Sequence, residues 1–389
     1  MKLNSVTARF ALLAIWLAPF IAVELSLQFI YRHDLRLRSW AWSWLLSESL
    51  IAQTAPANTN QLFDSRWAGT AEQRPGRGHV RFRTDRYGSI VPSTLTAAMQ
   101  PPAHSYVVFC GGSTTESGVV SEGHRPADVF ARLRDVSAVN FGRSGKSIDG
   151  CIASLQDLLR LSLPRPKLVV VANNVNTLMD FSIQQIYRQS SNQNGVSVSK
   201  VTSEDISLKS RLHQFFPGIL HAALKAKVAI GPFAELEYGL KMGCCHGASE
   251  VNRDASNFDW YSTDVQEDFA EFVIKRTLLL AQLLDELKFS KDRLIIFIEP
   301  NSFAFNKLTS GPDYRQRLRN LDGSLMSFSE SSRVTAHYDR IYAEAFLSQG
   351  FTVLQMPLGS LDDDFFYDAV HLTAQGAKGV GEFYADKLP

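Results

Sequence analysis

The sequence is poor in cysteine and has almost no net charge. Four cysteines in 389 residues cannot brace a chain of this size as a disulfide scaffold, and Cys110, Cys151, Cys244 and Cys245 show no paired CxxC spacing. Cysteine usage therefore leaves the redox compartment open. Forty Lys and Arg against 39 Asp and Glu leave a formal charge of +1, so no overall field draws the chain to nucleic acid, and no such partner is expected. Internal repeats, low-complexity composition and the phosphate-loop pattern with its lysine are all missing. What the chain does have is length, with 45% hydrophobic and 11% aromatic residues. That supports a sizeable core, in one enlarged domain with appendages or in two modest domains.

One apolar run is long. Residues 10–30 read FALLAIWLAPFIAVELSLQFI with only Glu24 charged; at about 1.5 Å rise per residue they extend about 30 Å, the hydrocarbon thickness of a bilayer. Lys2 and Arg9 ahead of such a run also fit a secretory signal, but no small-x-small cleavage site closes it. An uncleaved N-terminal transmembrane helix is the expectation. Trp40, Trp42 and Trp44 follow, placed where amphipathic rings favour the headgroup region, so residues 1–53 are read as anchor plus interfacial segment. Lys2 and Arg9 on one side oppose Arg32, Arg36 and Arg38 on the other, so the positive-inside rule does not fix the orientation and leans slightly against an exported domain.

Residues 54–79, rich in small and polar types with Pro56 and Pro75, read as a linker. Beyond it, short apolar runs at 106–110, 137–141, 168–172, 294–298 and 351–354 read as buried parallel strands. Between them, 149–161, 264–287 and 333–347 have helical periodicity. This alternation predicts a doubly wound α/β domain over 80–389, with functional groups on loops at the carboxyl ends of strands. Residues 185–261 break the alternation and read as a helical insertion. Its Phe215, Phe216, Ile219 and Leu220 could pack on the domain or touch a membrane surface.

Two stretches carry chemistry. In FCGGSTTESG a strand ends, two glycines permit a sharp turn, and Ser113 opens a helix beside unpaired N–H groups. Ser113 with Glu116 also fits a capping box, in which the hydroxyl only satisfies the helix end. In FFYDAVHLTAQG, Asp368 and His371 are spaced so that a turn can bring the carboxylate to the imidazole Nδ1–H and leave Nε2 free as a base. Cys244, Cys245 and His246 lack a metal-binding framework. Cys110 reads as a packing residue, and Arg143 and Lys146 could attract an anionic substrate or simply be solvated, the second being favoured. Glu299 and Asn301 follow the fourth strand and could border the pocket.

The chain resembles the SGNH hydrolases, the GDSL-type esterase superfamily, on four blocks in order. GGSTTESG is similar to the serine block, VNFGRSGKS to the second, PKLVVVANNVNT to the third and FYDAVHLT to the terminal DxxH block. The upstream VRFRTDRYGSI is similar to a run preceding the serine in many membrane-anchored members. Asn174 stands where the third block has glycine, and Thr177 where it often has aspartate.

The resemblance implies a three-layer flavodoxin-like parallel sheet and a catalytic triad: Ser113 as nucleophile, His371 as general base and acid, and Asp368 as its orienting partner. The backbone N–H groups of Ser113 and Gly142 and the Asn176 amide would form the oxyanion hole. It implies a membrane-anchored serine esterase, acting on O-acyl esters such as acetylated envelope or exported polysaccharide. No cofactor or metal is called for. An O-acyltransferase using the same triad and a non-catalytic assembly component are the alternatives. The habit of anchored members would put the domain outside the cytoplasm, tethered to the inner membrane.

Overall fold

The computed structural model describes residues 18–26, 51–55, 57–64, 79–100, 105–178, 180–181, 260–301, 328–357, 365–366 and 370–389. The chain divides into two compact units. One comprises Met1–Glu48 with Ser199–Lys241; the other comprises Ser49–Val198 with Met242–Pro389.

In the first unit the described element is a helix over 18–26, with Phe20, Ile21, Val23 and Leu25 exposed. Among the described residues no helix is long and apolar enough to cross a membrane. At 1.5 Å per residue this one extends about 14 Å, roughly half a hydrocarbon layer. The remainder of 10–30 and the tryptophan-rich segment lie outside the described residues.

The second unit contains, in chain order, β1 (Asn60–Asp64), β2 (His79–Arg83), α1 (Leu95–Ala98), β3 (Tyr106–Gly111), α2 (Ser113–Glu116), α3 (Pro126–Arg134), β4 (Ser137–Asn140) and α4 (Ile148–Arg160). There follow β5 (Leu168–Ala172), α5 (Thr263–Glu286), β6 (Leu294–Ile298), α6 (Phe328–Ser348), β7 (Thr352–Gln355) and α7 (Ala374–Lys387). The five expected strands form one parallel sheet in the order β4-β3-β5-β6-β7. Counted along the chain this is 2-1-3-4-5, the flavodoxin-like order.

The strands read as unbroken apolar runs because both sheet faces are covered. Tyr106, Val108, Cys110, Val169, Val171, Leu294 and Ile296 point to one core, shared with α4, α5 and α6. Val107, Phe109, Leu168, Val170, Ile295 and Phe297 point to the other, shared with α3 and α7. Each fully buried side chain of this kind is worth about 1.5–3 kcal/mol. The edge strand β7 is only partly covered and starts one residue later than its pattern suggested.

The expected linker is partly built into the domain. β1 pairs antiparallel with β2, while Ala55, Ala57 and Thr59 are buried and the Thr54 hydroxyl donates to Ile51 O at 2.8 Å, with Tyr87 O also near at 3.1 Å. Strand pairing satisfies the backbone of 60–64 and thereby orders it. Most of the insertion lies outside the described residues. The sheet order reverses at β3 and β5, so a crevice is expected where their carboxyl ends diverge.

Candidate active site

At the carboxyl end of β3 the chain turns through Gly111 and Gly112 into a single helical turn, α2. The turn needs both glycines. A Cβ at Gly111 would overlap the Thr115 hydroxyl and Ala172 O, and one at Gly112 would overlap the Asn176 amide. The cap of α2 is Gly112, with no side-chain hydrogen bond, and Ser117 ends the turn in the left-handed region at φ 45°. The capping-box alternative is therefore not adopted. The Ser113 hydroxyl lies 2.7 Å from Nε2 of His371, 258 positions away in sequence.

The position of His371 follows from how α7 docks. Phe366 and Leu372 form an antiparallel bridge and Thr373 N–H donates to Phe365 O at 2.9 Å. Thr373 caps α7 by accepting from Gly376 N–H. Farther along, the Tyr384 ring packs 5.1 Å from Phe109 and 4.8 Å from Phe297, centroid to centroid. These contacts seat α7 on the sheet and hold the residues before it against α2, where the Thr114 hydroxyl faces Val370 O at 3.4 Å. Asp368 lies outside the described residues.

The expected oxyanion donors fare differently. As the first residue of α2, Ser113 has an N–H with no intrahelical acceptor. The Asn176 amide donates to Lys146 O at 2.8 Å, which leaves its second hydrogen, and it lies against Gly112. Gly142 departs from expectation. Its N–H donates to Asn140 Oδ1 at 2.8 Å, and a backbone amide has only one hydrogen to give. Its glycine character serves packing instead, because a Cβ there would overlap the Glu116 backbone. Along the same loop, Arg143 N–H donates to Gly111 O, Ser144 N–H to Glu116 Oε2 and Lys146 N–H to Arg143 O. Gly145, exposed and at φ +73°, is the loop amide from 142 to 146 with no acceptor among the described residues.

Residues that sequence reasoning passed over hold this arrangement together. The Asn140 amide bridges Thr115 O and Gly142 N–H, while Asn173 donates to Lys146 O at 2.8 Å. Lys146 is buried, not solvated, and its ammonium donates to Phe141 O at 2.9 Å. Strand-end asparagines at 140, 173 and 174 were the available signal, since a buried amide stitches loop backbone that has no ladder. Cys110 is fully buried, as its strand position suggested.

Three buried carboxyls surround the site. Glu116 accepts from both the N–H and the hydroxyl of Ser144; burial raises its pKa, opposed by those bonds and by the charges of His371 and Arg125. Burial pushes Glu299 up to about 8, opposed by Thr115 and the nearby His371. Asp339 on α6 is pushed up to about 7 by burial, opposed by Asn174 and Asn301. Asn174 joins the last two: its Nδ2 donates to Asp339 Oδ1 at 2.7 Å, and its Oδ1 accepts Glu299 N–H at 2.8 Å. Among the described residues no cluster of His, Cys, Asp or Glu is placed to hold a metal ion, and Cys244, Cys245 and His246 lie outside them.

No family model matches the chain, and no curated protein matches it. Solved structures do. A carbohydrate acetylesterase family member from Sinorhizobium meliloti is similar at 12% identity over 72% of this chain and 96% of its own, with a TM-score of 0.35. The native aryl esterase of M. smegmatis is similar at 13% identity over 73% of this chain and 98% of its own, also at 0.35.

Proposed function

We propose that this chain is a serine ester hydrolase of the SGNH type, acting on O-acyl esters through Ser113 and His371. The observation that carries the reading is the 2.7 Å approach of the Ser113 hydroxyl to His371 Nε2 at the carboxyl end of β3. A serine hydroxyl is a weak nucleophile until a base takes its proton, and this distance is within transfer reach. Ser113 Oγ attacks the ester carbonyl carbon as its proton passes to Nε2. The tetrahedral oxyanion then collapses, and the imidazolium returns the proton to the departing alcohol. Water, deprotonated by the same nitrogen, releases the acid from the acyl-enzyme.

In this reading Asp368 orients the imidazole from its Nδ1 side. The oxyanion is met by the Ser113 N–H and the second hydrogen of the Asn176 amide. The substrate class is an acetylated carbohydrate or a related ester. The exposed apolar side chains on helix 18–26 favour an N-terminal membrane anchor, and the placement of the hydrolase domain outside the cytoplasm rests on the resemblance to anchored members alone.

The test is hydrolysis of p-nitrophenyl acetate and of acetylated polysaccharide by the full chain and by Ser113→Ala. Release of nitrophenol and acetate by the wild type alone supports the reading. Equal rates for the two proteins would sink it.

A further inference from the structure

Glu299 is a buried carboxyl that the mechanism above leaves unused. It follows β6 at the crevice, is 3% exposed, and its Oε1 lies 3.4 Å from the Thr115 hydroxyl of the turn that presents Ser113. Its backbone is clasped by Asn174, which pairs with Asp339 and stands two residues before Asn176. The carboxyl thus lies between the nucleophile turn, the strand end leading to Asn176, and the imidazole. Every charged or titratable group facing it matters for its proton. These are His371 ahead of α7, Asp339 and Tyr342 on α6, and Tyr384 on α7. Of these only His371 can offer a positive charge.

We propose that Glu299 is a positioning residue whose protonated, neutral form keeps the Ser113–His371 pair competent and whose ionisation disables it at alkaline pH. The inference rests on the ester-hydrolysis reading. As a neutral acid Glu299 accepts from Thr115 and adds no field at the imidazole. As an anion it would oppose the negative charge forming on the substrate oxygen beside the nucleophile turn. The proton leaves to solvent, and no other bond changes. With burial holding the group up to about 8, the change falls in an accessible window.

The experiment measures kcat and KM for p-nitrophenyl acetate from about pH 5 to pH 10 with the full chain, Glu299→Gln and Glu299→Ala, using Ser113→Ala as the blank. The wild type is expected to lose kcat above about pH 8, with KM little changed. Glu299→Gln, which cannot ionise, should lose that alkaline decline and restore most of the kcat that Glu299→Ala forfeits at neutral pH. An unchanged alkaline decline in Glu299→Gln overturns the proposal.

If no variant including wild type hydrolyses any ester, the functional reading itself has failed, and thermal unfolding across the same pH range tests Glu299 alone. A wild-type midpoint that declines with pH, and declines less in Glu299→Gln, keeps its buried neutral form; parallel curves reject it.

Discussion

The two glutamates beside the His371 imidazole make an instructive contrast. Glu116, on the α2 turn, and Glu299, at the end of β6, are both buried and both raised by that burial. They differ in what they are given. Glu116 takes an N–H and a hydroxyl from Ser144, and Arg125 adds a favourable charge. Glu299 has one long approach from Thr115, with the Asp339 carboxyl as an unfavourable neighbour. Supplied donors, more than depth, set how readily a buried carboxyl ionises. Glu116 acts as a latch holding the 142–146 loop to the nucleophile turn, whereas Glu299 reaches that turn only through the Thr115 hydroxyl.

The largest expected effect removes what lies between them. His371→Ala should lower kcat on the order of 10⁶-fold, as when either member of a serine–histidine pair is lost, with the fold unchanged by circular dichroism. Asn176→Ala should lower kcat by about 10²–10³. The same change frees Lys146 O, so a normal unfolding midpoint must accompany the loss for it to count as oxyanion stabilisation.

On the Glu116 side, Ser144→Ala removes the hydroxyl donor but keeps the backbone N–H, and should cost about 0.5–1.5 kcal/mol in urea unfolding. Adding Glu116→Gln should recover part of that. If Ser144→Ala is neutral, the latch account fails.

The smallest effect separates the two flanks by pH. Glu299 and Asp339 have folded pKa values above their unfolded ones, so the native state holds protons that the unfolded chain releases. Their contribution to stability is complete below the unfolded carboxylate range and is lost as pH rises through about 7 and about 8. Stability should therefore decline from about pH 5 to pH 9, and Glu299→Gln should flatten that slope.

The sheet was legible because strands covered on both faces cannot alternate: LVVVA and LIIFI have nowhere polar to point. Ser113 and His371 were legible through the four ordered blocks of the resemblance, since the glycine–serine turn and the DxxH spacing each left another reading open, and the structure brings the two side chains to 2.7 Å. The fate of Gly142 was not, since its hydrogen goes to a side chain two residues away whose aim depends on the loop path. The cap reading of Ser113 failed for a similar reason: an imidazole 258 positions distant competes for the hydroxyl. Lys146 looked solvated by type, but its backbone carbonyl is held by Asn173 and Asn176, which draws the residue inward. Residues 57–64 looked like linker by composition because pairing with β2 supplies the order that their own side chains do not.

The most direct measurement is covalent labelling of the folded full chain with a fluorophosphonate, followed by peptide mass analysis. The account predicts a single adduct on Ser113, absent from Ser113→Ala and strongly slowed in His371→Ala. An unlabelled wild type, or an adduct on another residue with Ser113 untouched, would contradict it.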